Sequence, residues 1–401
     1  MPRIAILGAG LAGCSAAVRL AQLGLSSTLF EQAARPMSGA SRNNEGKLHL
    51  GFVYAADPTG RSWHVMAEAA VAFETCVRDL FSLRPQDICL STPFAYTVCR
   101  DSALPPTAIE AHLDQVDTYL RSIDAGYRAC QALPDRDLSG TFDTDHVATA
   151  FMTPERAVHV GRLADGITRA ISKTPAITLR TGTRILGADR LADEVYQLRL
   201  AQADGQRSET FDLVINALWD DRLRLDACIG LDAPGPAIMR YKASILFDAV
   251  PPDLLNRLPS TTLVSGAFGD LVNRGDGSVY LSWYPVCKLG QTTDIDARAL
   301  REQASLVDPE SLVNGSIDGI ARYVPVAREL HQLAPTARIG GGVIVAWGQT
   351  DITDRSSKLH ARENIGVEQT GRWISVNSGK FTTAPAFGLA AAASARDALS
   401  G

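Results

Sequence analysis

A glycine-rich turn, residues 8–13, constrains the fold of this 401-residue chain more than any other feature of its sequence. The apolar run 3–7 predicts a short buried strand before the turn, and the small residues 14–23 predict a helix after it. A second strand is expected at 27–30, and it leads into Glu31. This order of strand, turn, helix, strand and acid predicts a dinucleotide-binding unit.

Each position of the turn has a physical role in that prediction. Gly8 permits the sharp turn, Gly10 lets the backbone approach a pyrophosphate, and Gly13 lets the helix pack closely on the strand. Leu11 and Ala12 begin the helix, whose free N–H groups can bind the anion. The acid after the second strand is expected to accept hydrogen bonds from ribose hydroxyl groups.

Charge and composition narrow the set of partners. The chain has 39 basic and 44 acidic residues, and because the basic residues are scattered, nucleic acid is not an expected partner. The longest apolar stretches are shorter than the roughly 20 residues that a membrane-spanning helix needs. The seven cysteines form no C-x-x-C pair and no signal peptide is expected, so the sequence predicts a cytoplasmic protein without a disulfide framework or zinc site.

The rest of the chain alternates helical and β-rich segments. A helix is expected around 109–132 and an amphipathic helix at 162–171, followed by short β-rich runs from 176 to 216. Residues 237–325 predict a separate antiparallel sheet inserted between parts of the nucleotide domain. With an alanine-rich helix expected at 387–399, the sequence predicts an α/β fold with a discontinuous dinucleotide domain and a β-rich second domain.

The segment S-R-N-N-E-G-K-L-H-L-G, which ends at Gly51, resembles a segment of the D-amino-acid oxidase superfamily of flavoproteins. L-2-hydroxyglutarate dehydrogenases have N-S-G-V-I-H-A-G at this place, and Asn44, Gly46, His49 and Gly51 fall in the same register. Glycerol-3-phosphate dehydrogenases have a related K-L-I-H-G-G segment, although Lys47 stands one residue closer to the histidine.

Two further segments extend the resemblance along the chain. Asn216 and Ala217 are similar to the V-V-N-A motif in the third strand of the nucleotide sheet, and residues 378–385 are similar to a G-K-x-T-T segment before the last helix. The resemblance implies a Rossmann-like FAD-binding domain, with FAD rather than NAD as the cofactor. A flavin that accepts a hydride gains negative charge at one edge, where Lys380 and the start of the last helix can offer positive potential.

The resemblance also implies further cofactor contacts and a division of the chain. The expected contacts are Gln32, Arg42, Asn43, Asn44, Gly46, Leu48, His49, Arg184, Ile185, Asn216, Ala217, Gly379, Lys380, Phe381, Thr382 and Thr383. The FAD-binding domain is expected to comprise residues 1–75, 151–235 and 336–401, with a helical segment on the substrate side at 76–150 and a substrate domain at 236–335.

Four residues are candidates for the chemistry: His49, Arg240, Tyr241 and Arg362. His49 is expected near the flavin, where a neutral imidazole can accept a proton as a hydride leaves carbon; the alternative is a buried histidine bonded to the backbone. Arg240 and Lys242 share one face of an expected strand and Tyr241 lies on the other, so the two cations bind an anionic substrate or face solvent. Arg362 lies in a polar loop that could deliver it to the substrate.

These features predict an FAD-dependent oxidoreductase that oxidises a small CH–OH substrate, a 2-hydroxy acid or similar anionic alcohol, by hydride transfer to flavin N5. Oxidation of an amine or amino acid is the alternative. A flavin hydroxylase is disfavoured because the Gly-Asp pairs at Gly269 and Gly275 lie in the insert, and a non-catalytic FAD protein stays open. Asp351, Asp354 and His360 are not expected to bind a metal. The sequence does not identify the electron acceptor.

Overall fold

The computed structural model describes residues 2–266, 268–350, 357, 361–362 and 364–400. The β-strands of this part of the chain are β1 (Ile4–Leu7), β2 (Ser27–Phe30), β3 (Phe94–Cys99), β4 (Gln131–Ala132), β5 (Val147–Met152), β6 (Ile177–Arg180), β7 (Arg184–Arg190), β8 (Tyr196–Gln202), β9 (Gly205–Phe211), β10 (Leu213–Asn216), β11 (Ala237–Phe247), β12 (Ser260–Val264), β13 (Gly269–Asn273), β14 (Val279–Trp283), β15 (Lys288–Thr292), β16 (Arg338–Trp347), β17 (Gly366–Thr370) and β18 (Trp373–Asn377).

The α-helices surround two large sheets. They are α1 (Leu11–Gln22), α2 (Arg61–Phe81), α3 (Pro85–Ile88), α4 (Pro106–Ile123), α5 (Asp135–Thr141), α6 (Val160–Ser172), α7 (Arg222–Cys228), α8 (Pro252–Arg257), α9 (Tyr284–Cys287), α10 (Arg298–Ala304), α11 (Pro309–Ala321) and α12 (Ala384–Ser400). Short 3-10 helices occur at Phe52–Tyr54, Ala192–Glu194, Trp219–Asp221 and Pro325–Thr336.

The first sheet has the strand order β17-β18-β10-β1-β2-β6, in which every pair is parallel except the edge pair β17–β18. Its central strands β1 and β10 are buried along their whole length, as apolar strands covered on both faces must be. Residues from α1, α2, α6 and α12 form the core on one face, and the small antiparallel sheet β7-β8-β9 contributes to the core on the other. This is the discontinuous Rossmann-like domain that the sequence predicted.

Small residues let the first and last helices pack closely together. A Cβ atom added to Gly388 of α12 would lie 2.5 Å from the Ala12 carbonyl oxygen and 2.6 Å from the Ser15 Cβ atom of α1. The close packing holds the start of α12 beside the glycine turn, so two segments that the sequence assigned to the cofactor lie together although they are separated by almost the whole chain.

The second sheet contains β15-β11-β14-β13-β12-β3-β5-β4, with β16 paired to the other side of β11. It is mixed rather than purely antiparallel, because β12 and β3 run parallel. Apolar side chains on its two faces form two further core clusters, with α11 against one and α2 and α4 against the other.

Two parts of the expected organisation differ from the structure. Strand β16 pairs with β11 along ten residues, so the second sheet continues past residue 336, where the last part of the FAD-binding domain was expected to begin. The segment 76–150 contributes the strands β3, β4 and β5 to the same sheet, as well as helices. The helix expected at 109–132 is α4, which begins at Pro106 and ends at Ile123.

Candidate active site

The glycine turn has the close approaches that its sequence predicted. Gly8 has a φ of +91°, and a Cβ atom there would lie 2.8 Å from the carbonyl oxygen of Ala217. A Cβ atom on Gly13 would lie 1.9 Å from the Gly8 carbonyl oxygen. Only glycine fits both positions, since one requires a left-handed backbone and the other direct helix–strand contact.

The N-terminus of α1 opens onto polar groups from two other segments. The Leu11 N–H donates to Ser41 Oγ at 3.0 Å, and the Ala9 N–H donates to Glu31 Oε2 at 3.1 Å. The other oxygen of Glu31 accepts from the Ala33 N–H at 2.8 Å. Burial raises the pKa of Glu31, whereas these backbone hydrogen bonds lower it. The carboxylate thus lies beside the turn, where a ribose is expected.

A cleft beside the end of β2 brings together three predicted cofactor contacts. Gln32, Arg184 and Ile185 line it, opposite Asp220 and Arg301. Arg301 of α10 forms an ion pair with Asp220, so the second domain also reaches this cleft. Burial raises the pKa of Asp220 to about 6, although the charge of Arg301 opposes the rise.

The segment before His49 is held by its own turn and by a neighbouring strand segment. Asn44 accepts from the Gly46 N–H at 2.7 Å, and its side chain donates to the Ala40 carbonyl at 2.7 Å. Gly46 has a φ of +77°, and a Cβ there would lie 2.1 Å from the Val158 carbonyl oxygen. Asn43 donates within the same turn, whereas the Arg42 side chain pairs with Asp165 at 3.0 Å.

His49 is clamped to the start of α12 through Thr382. The His49 backbone N–H donates to Thr382 Oγ1 at 3.0 Å, and that hydroxyl donates to the Lys47 carbonyl at 3.0 Å. Leu48, between them, is buried in the core of the nucleotide domain. The predicted histidine segment and the predicted C-terminal segment therefore form one structural unit.

The His49 imidazole is buried and neutral. Its Nε2 atom lies 3.7 Å from Glu45 Oε1. Burial and the positive charge of Lys380 lower the pKa of His49 to about 3. Burial alone would raise the pKa of Glu45, but the neighbouring His49 and the charges of Lys242 and Lys380 hold it well below its usual range. A neutral imidazole therefore stands beside an ionised carboxylate at neutral pH.

A second carboxylate lies behind the ring. Glu155 is fully buried, with Oε1 at 3.9 Å from His49 Nδ1. It accepts hydrogen bonds from the Tyr96 hydroxyl at 2.5 Å and from the Leu50 N–H at 2.8 Å. Within the described part of the chain, His49 Nδ1 has no hydrogen-bond partner.

A buried ion pair joins the histidine segment to the second sheet. Lys47 is 2% exposed, and its Nζ atom lies 2.6 Å from Asp270 Oδ1 and also donates to Thr262 Oγ1. The same ammonium lies 4.6 Å from the centre of the Phe94 ring. Burial lowers the pKa of Lys47, but the nearby carboxylates outweigh it and raise the pKa overall. Lys242 contributes a second cation, 3.7 Å from Asp270.

Cationic groups converge from three segments on the side of the second sheet that faces His49. Arg240 is buried and donates to the Tyr284 hydroxyl at 2.8 Å. The Arg362 backbone N–H donates to Ser62 Oγ at 2.7 Å, and its guanidinium acts electrostatically on Tyr54, Arg240 and Lys380. Burial and the Arg362 charge lower the pKa of Lys380 to about 7. The predicted residues Arg240, Arg362 and Lys380 are thus brought together.

Tyr241 lies on the opposite face of β11 from Arg240, as the strand alternation predicted. It packs with Trp219, Val343 and Leu300 in an apolar cluster. A Cβ atom on Gly341 would lie 2.6 Å from the Tyr241 ring, so the glycine at this position makes room for that ring. This placement separates Tyr241 from the other candidate catalytic residues.

Asn216 also has a structural environment. Its side chain donates to Asp226 at 2.8 Å and to the Arg222 carbonyl at 3.0 Å, within a buried network that includes Trp373 and Ser375. Its side-chain donors are therefore directed at the protein rather than at a ligand.

The other residues of the C-terminal segment shape the turn before α12. Gly379 has a φ of +65°, Phe381 packs against Phe73 at 5.6 Å between ring centres, and Thr383 Oγ1 donates to the Lys380 carbonyl at 2.9 Å. Asp351, Asp354 and His360, for which no metal was expected, lie outside the described residues.

The first half of this site fits FAD. The turn has no side chains where a pyrophosphate must approach, and the α1 N-terminus presents N–H groups to it. Glu31 lies beside the turn, as an acid that accepts from a ribose would, and Gln32, Arg184 and Ile185 line one cleft. The residues present therefore fit the cofactor that the sequence implied.

Several residues of the site were not found from the sequence. Tyr54 and Tyr96 belong to no motif of the chain, and Glu155 reaches His49 from a segment more than a hundred residues away. Glu45 and Lys47 stand inside the segment that contains His49, and this position is the one sequence signal that could have identified them as site residues.

Comparison with known proteins gives a consistent result. A family model described as "FAD dependent oxidoreductase" (DAO) matches residues 3–394. The chain is 26% identical over 384 residues to "FAD-dependent monooxygenase FPY4" of Fusarium mangiferae, a match that covers 95% of this chain and 87% of that protein.

Two solved structures show the same fold. The FAD-bound L-alpha-glycerophosphate oxidase of Mycoplasma pneumoniae aligns with a TM-score of 0.67 and 14% identity, over 100% of this chain and 96% of that one. Glycine oxidase of Geobacillus kaustophilus aligns with a TM-score of 0.62 and 16% identity, over 97% of this chain and 93% of that one. Among the described residues, no helix is both long and apolar enough to cross a membrane.

Proposed function

The chain belongs to the DAO family of FAD-dependent oxidoreductases, and from that premise we propose that it oxidises a small anionic substrate at a CH–OH carbon, with a 2-hydroxy acid as the preferred class. The observation that supports the substrate class most directly is the convergence of Arg240, Arg362 and Lys380 near a neutral, buried histidine. Arginine binds a carboxylate through two parallel hydrogen bonds, which fixes the orientation of the substrate.

Each residue has a separate task in this proposal. Arg240 and Arg362 bind the carboxylate, and the Tyr284 hydroxyl orients the Arg240 guanidinium. His49 Nε2 accepts the proton of the substrate hydroxyl group, which is possible because its imidazole is neutral. Thr382 fixes the backbone of His49. Bound FAD supplies the acceptor for the two electrons and the hydrogen that leave the substrate carbon.

The cofactor-binding residues follow the geometry of the turn. Gly8 and Gly13 hold the shape of the turn, Gly10 lets the backbone approach the pyrophosphate, and Leu11 and Ala12 begin the helix whose N-terminus lies against it. The remaining predicted contacts except Asn216 are proposed to lie around the flavin and the adenosine. Tyr241 is left out of the substrate site because it packs on the opposite face of β11. The seven cysteines form no disulfide, which supports a cytoplasmic protein.

An amino acid is the second candidate substrate, and Glu45 favours it. This carboxylate is ionised and lies 3.7 Å from His49, so it could accept a hydrogen bond from a substrate amine. The structural relatives include both a glycerophosphate oxidase and a glycine oxidase, and at 14% and 16% identity they do not decide between the two substrate classes.

Anaerobic bleaching of the flavin absorbance distinguishes the candidates. The purified FAD-loaded protein is mixed with 2-hydroxy acids, polyol phosphates, amino acids and N-methyl amines. Bleaching by 2-hydroxy acids is expected. Bleaching by amino acids alone would favour the second candidate, and bleaching by N-methyl amines that lack an anionic group would contradict anion recognition. If no compound bleaches the flavin but one of them is hydroxylated in air, the result would favour a monooxygenase.

Substitution of His49 by Gln tests the base. The variant is expected to keep FAD and to reduce it about 10²-fold more slowly, because the amide cannot accept the proton. His112→Gln is the matched control, since His112 is a buried histidine whose Nε2 atom contacts the Gly51 carbonyl at 3.1 Å and which has no task in the proposed reaction. An unchanged rate of FAD reduction in the His49 variant would remove this residue from the mechanism.

A further inference from the structure

Both ring nitrogens of His49 face a carboxylate. Nε2 lies 3.7 Å from Glu45 Oε1, and Nδ1 lies 3.9 Å from Glu155 Oε1. A neutral imidazole has a single N–H, so it can donate to only one of the two acids at a time. The nitrogen that holds the proton therefore determines which nitrogen offers a lone pair to a substrate.

We propose that Glu155 is a positioning residue for His49. Its carboxylate attracts the Nδ1–H group and so keeps the ring proton on Nδ1, which leaves the Nε2 lone pair directed at the substrate. This inference rests on the proposed role of His49 as the base and adds the residue that sets its tautomer. Nε2 is the nitrogen on the substrate side, because the charges of Lys242 and Lys380 act on its neighbour Glu45. Lys380 is one of the three cations that converge at the proposed substrate site.

The geometry around Glu155 suits an acceptor with a fixed orientation. Its carboxylate is inaccessible to solvent, and Oε2 is held by the Leu50 N–H at 2.8 Å, directly beside His49 in the chain. The Tyr96 hydroxyl approaches Oε1 at 2.5 Å from the second sheet. A carboxylate oxygen has more than one lone pair, so Oε1 can accept from Tyr96 and from His49 Nδ1 together.

The proton moves in one balanced step. The substrate hydroxyl proton passes to Nε2, which gives an imidazolium with protons on both nitrogens. The Nδ1–H faces the Glu155 carboxylate at 3.9 Å, and the carboxylate stabilises the positive charge formed on the ring. Glu45, on the Nε2 side, is ionised and adds to that stabilisation. No proton leaves His49 or Glu155 during the step.

The tautomer and the rate are expected to depend on pH. Burial raises the pKa of Glu155 to about 7, although the charge of Lys47 and hydrogen bonds from Tyr96 and Leu50 oppose it, and the charge of Asp270 adds to the rise. Above this pKa the negative carboxylate keeps the ring proton on Nδ1. Below it the neutral, protonated acid does not hold the proton there. The rate of FAD reduction is therefore expected to rise with pH through a midpoint near this value.

The test is the pH profile of FAD reduction in anaerobic stopped-flow experiments, with the substrate that bleaches the wild-type protein. Glu155→Gln keeps the size of the side chain but cannot become a carboxylate. It is expected to lower the rate about 10²-fold at high pH and to remove the rise. Tyr96→Phe removes a hydrogen bond that favours the carboxylate, so the midpoint is expected to shift to higher pH.

A matched control exists on the surface. The Tyr119 hydroxyl donates to Glu68 at 2.6 Å, the same pair of groups outside the site, so Glu68→Gln is expected to leave the profile unchanged. FAD content and thermal unfolding of every variant show whether the fold is kept.

The outcomes separate this inference from the proposed function. A Glu155→Gln protein with the wild-type rate and pH profile would overturn the positioning role, even if His49→Gln is slow. If His49→Gln reduces FAD as fast as wild type, the base itself is wrong and the positioning role fails with it. If Glu155→Gln does not fold, Tyr96→Phe decides, and an unshifted midpoint in that variant would overturn the inference.

Discussion

Substitution of Thr382 by Val should weaken the clamp that joins the histidine segment to the last helix. The Thr382 hydroxyl accepts from the His49 N–H and donates to the Lys47 carbonyl, both at 3.0 Å, and the threonine is 1% exposed. Valine has the same shape but no hydroxyl, so it fills the space and leaves a buried donor and a buried acceptor without this partner.

The cost follows from those two hydrogen bonds. Each buried group left unsatisfied costs about 1–3 kcal/mol, so the free energy of unfolding is expected to fall by about 3 kcal/mol in the FAD-loaded protein. Urea denaturation followed by circular dichroism measures it. Thr382→Ser keeps the hydroxyl group and should lose only about 1 kcal/mol for the missing methyl group.

The same variant should slow FAD reduction, because the backbone of His49 loses its anchor while the residues of the glycine turn are untouched. FAD content is therefore expected to stay at the wild-type level while the rate falls. If Thr382→Val unfolds at the same urea concentration as Thr382→Ser and reduces FAD at the wild-type rate, the clamp has no role in the site.

Three further predictions concern the turn, the buried ion pair and the anion site. Gly13→Ala should abolish FAD retention after gel filtration, because its Cβ would lie 1.9 Å from the Gly8 carbonyl oxygen; a yellow variant would contradict this. Asp270→Asn should lower the free energy of unfolding by about 3 kcal/mol by removing the charged partner of buried Lys47. Burial raises the pKa of Asp270, but the charge of Lys47 lowers it by more, so the pKa in the folded protein lies below the ordinary aspartate value. The stability difference between wild type and Asp270→Asn is therefore present above the ordinary aspartate pKa and is lost as the pH falls through the pKa of the folded protein. Identical acid-unfolding curves for the two proteins would refute this prediction. Arg240→Met should raise the KM for an anionic substrate about 10- to 100-fold, with a smaller effect on kcat, and an unchanged KM would exclude Arg240 from anion binding.

The parts of the fold that depend on local sequence were predictable. The glycine turn requires specific backbone conformations and close approaches at Gly8 and Gly13, and these requirements leave a fixed spacing in the sequence. Strand β2 occupies the residues expected for it and strand β1 lies within the run 3–7, since short apolar runs with clear boundaries can be identified without tertiary information.

Strand β16 shows what local sequence does not specify. Three consecutive glycines, 340–342, have weak strand propensity, so the local sequence favours a strand that begins only after them, at Val343. It begins at Arg338 because pairing with β11 continues through the glycines, and the missing side chain of Gly341 makes room for Tyr241. Tertiary packing therefore determines the boundary.

The electrostatic partners of the candidate base were also out of reach. Glu155 and Leu50 are 105 residues apart, and Tyr96 is 59 residues from Glu155. Neither residue stands in a motif, and their contact depends on how the second sheet packs against the histidine segment. His49 itself was identified because its local segment resembles a known one.

The most direct test of the proposed function compares a 2-hydroxy acid with its amide as reductants of the enzyme-bound FAD under anaerobic conditions. The two compounds have the same CH–OH group and differ only in the charge at the neighbouring carbon. If Arg240 and Arg362 bind an anion beside His49, the acid should reduce FAD with an efficiency about 10- to 100-fold higher than the amide. Equal efficiencies would contradict anion recognition at this site.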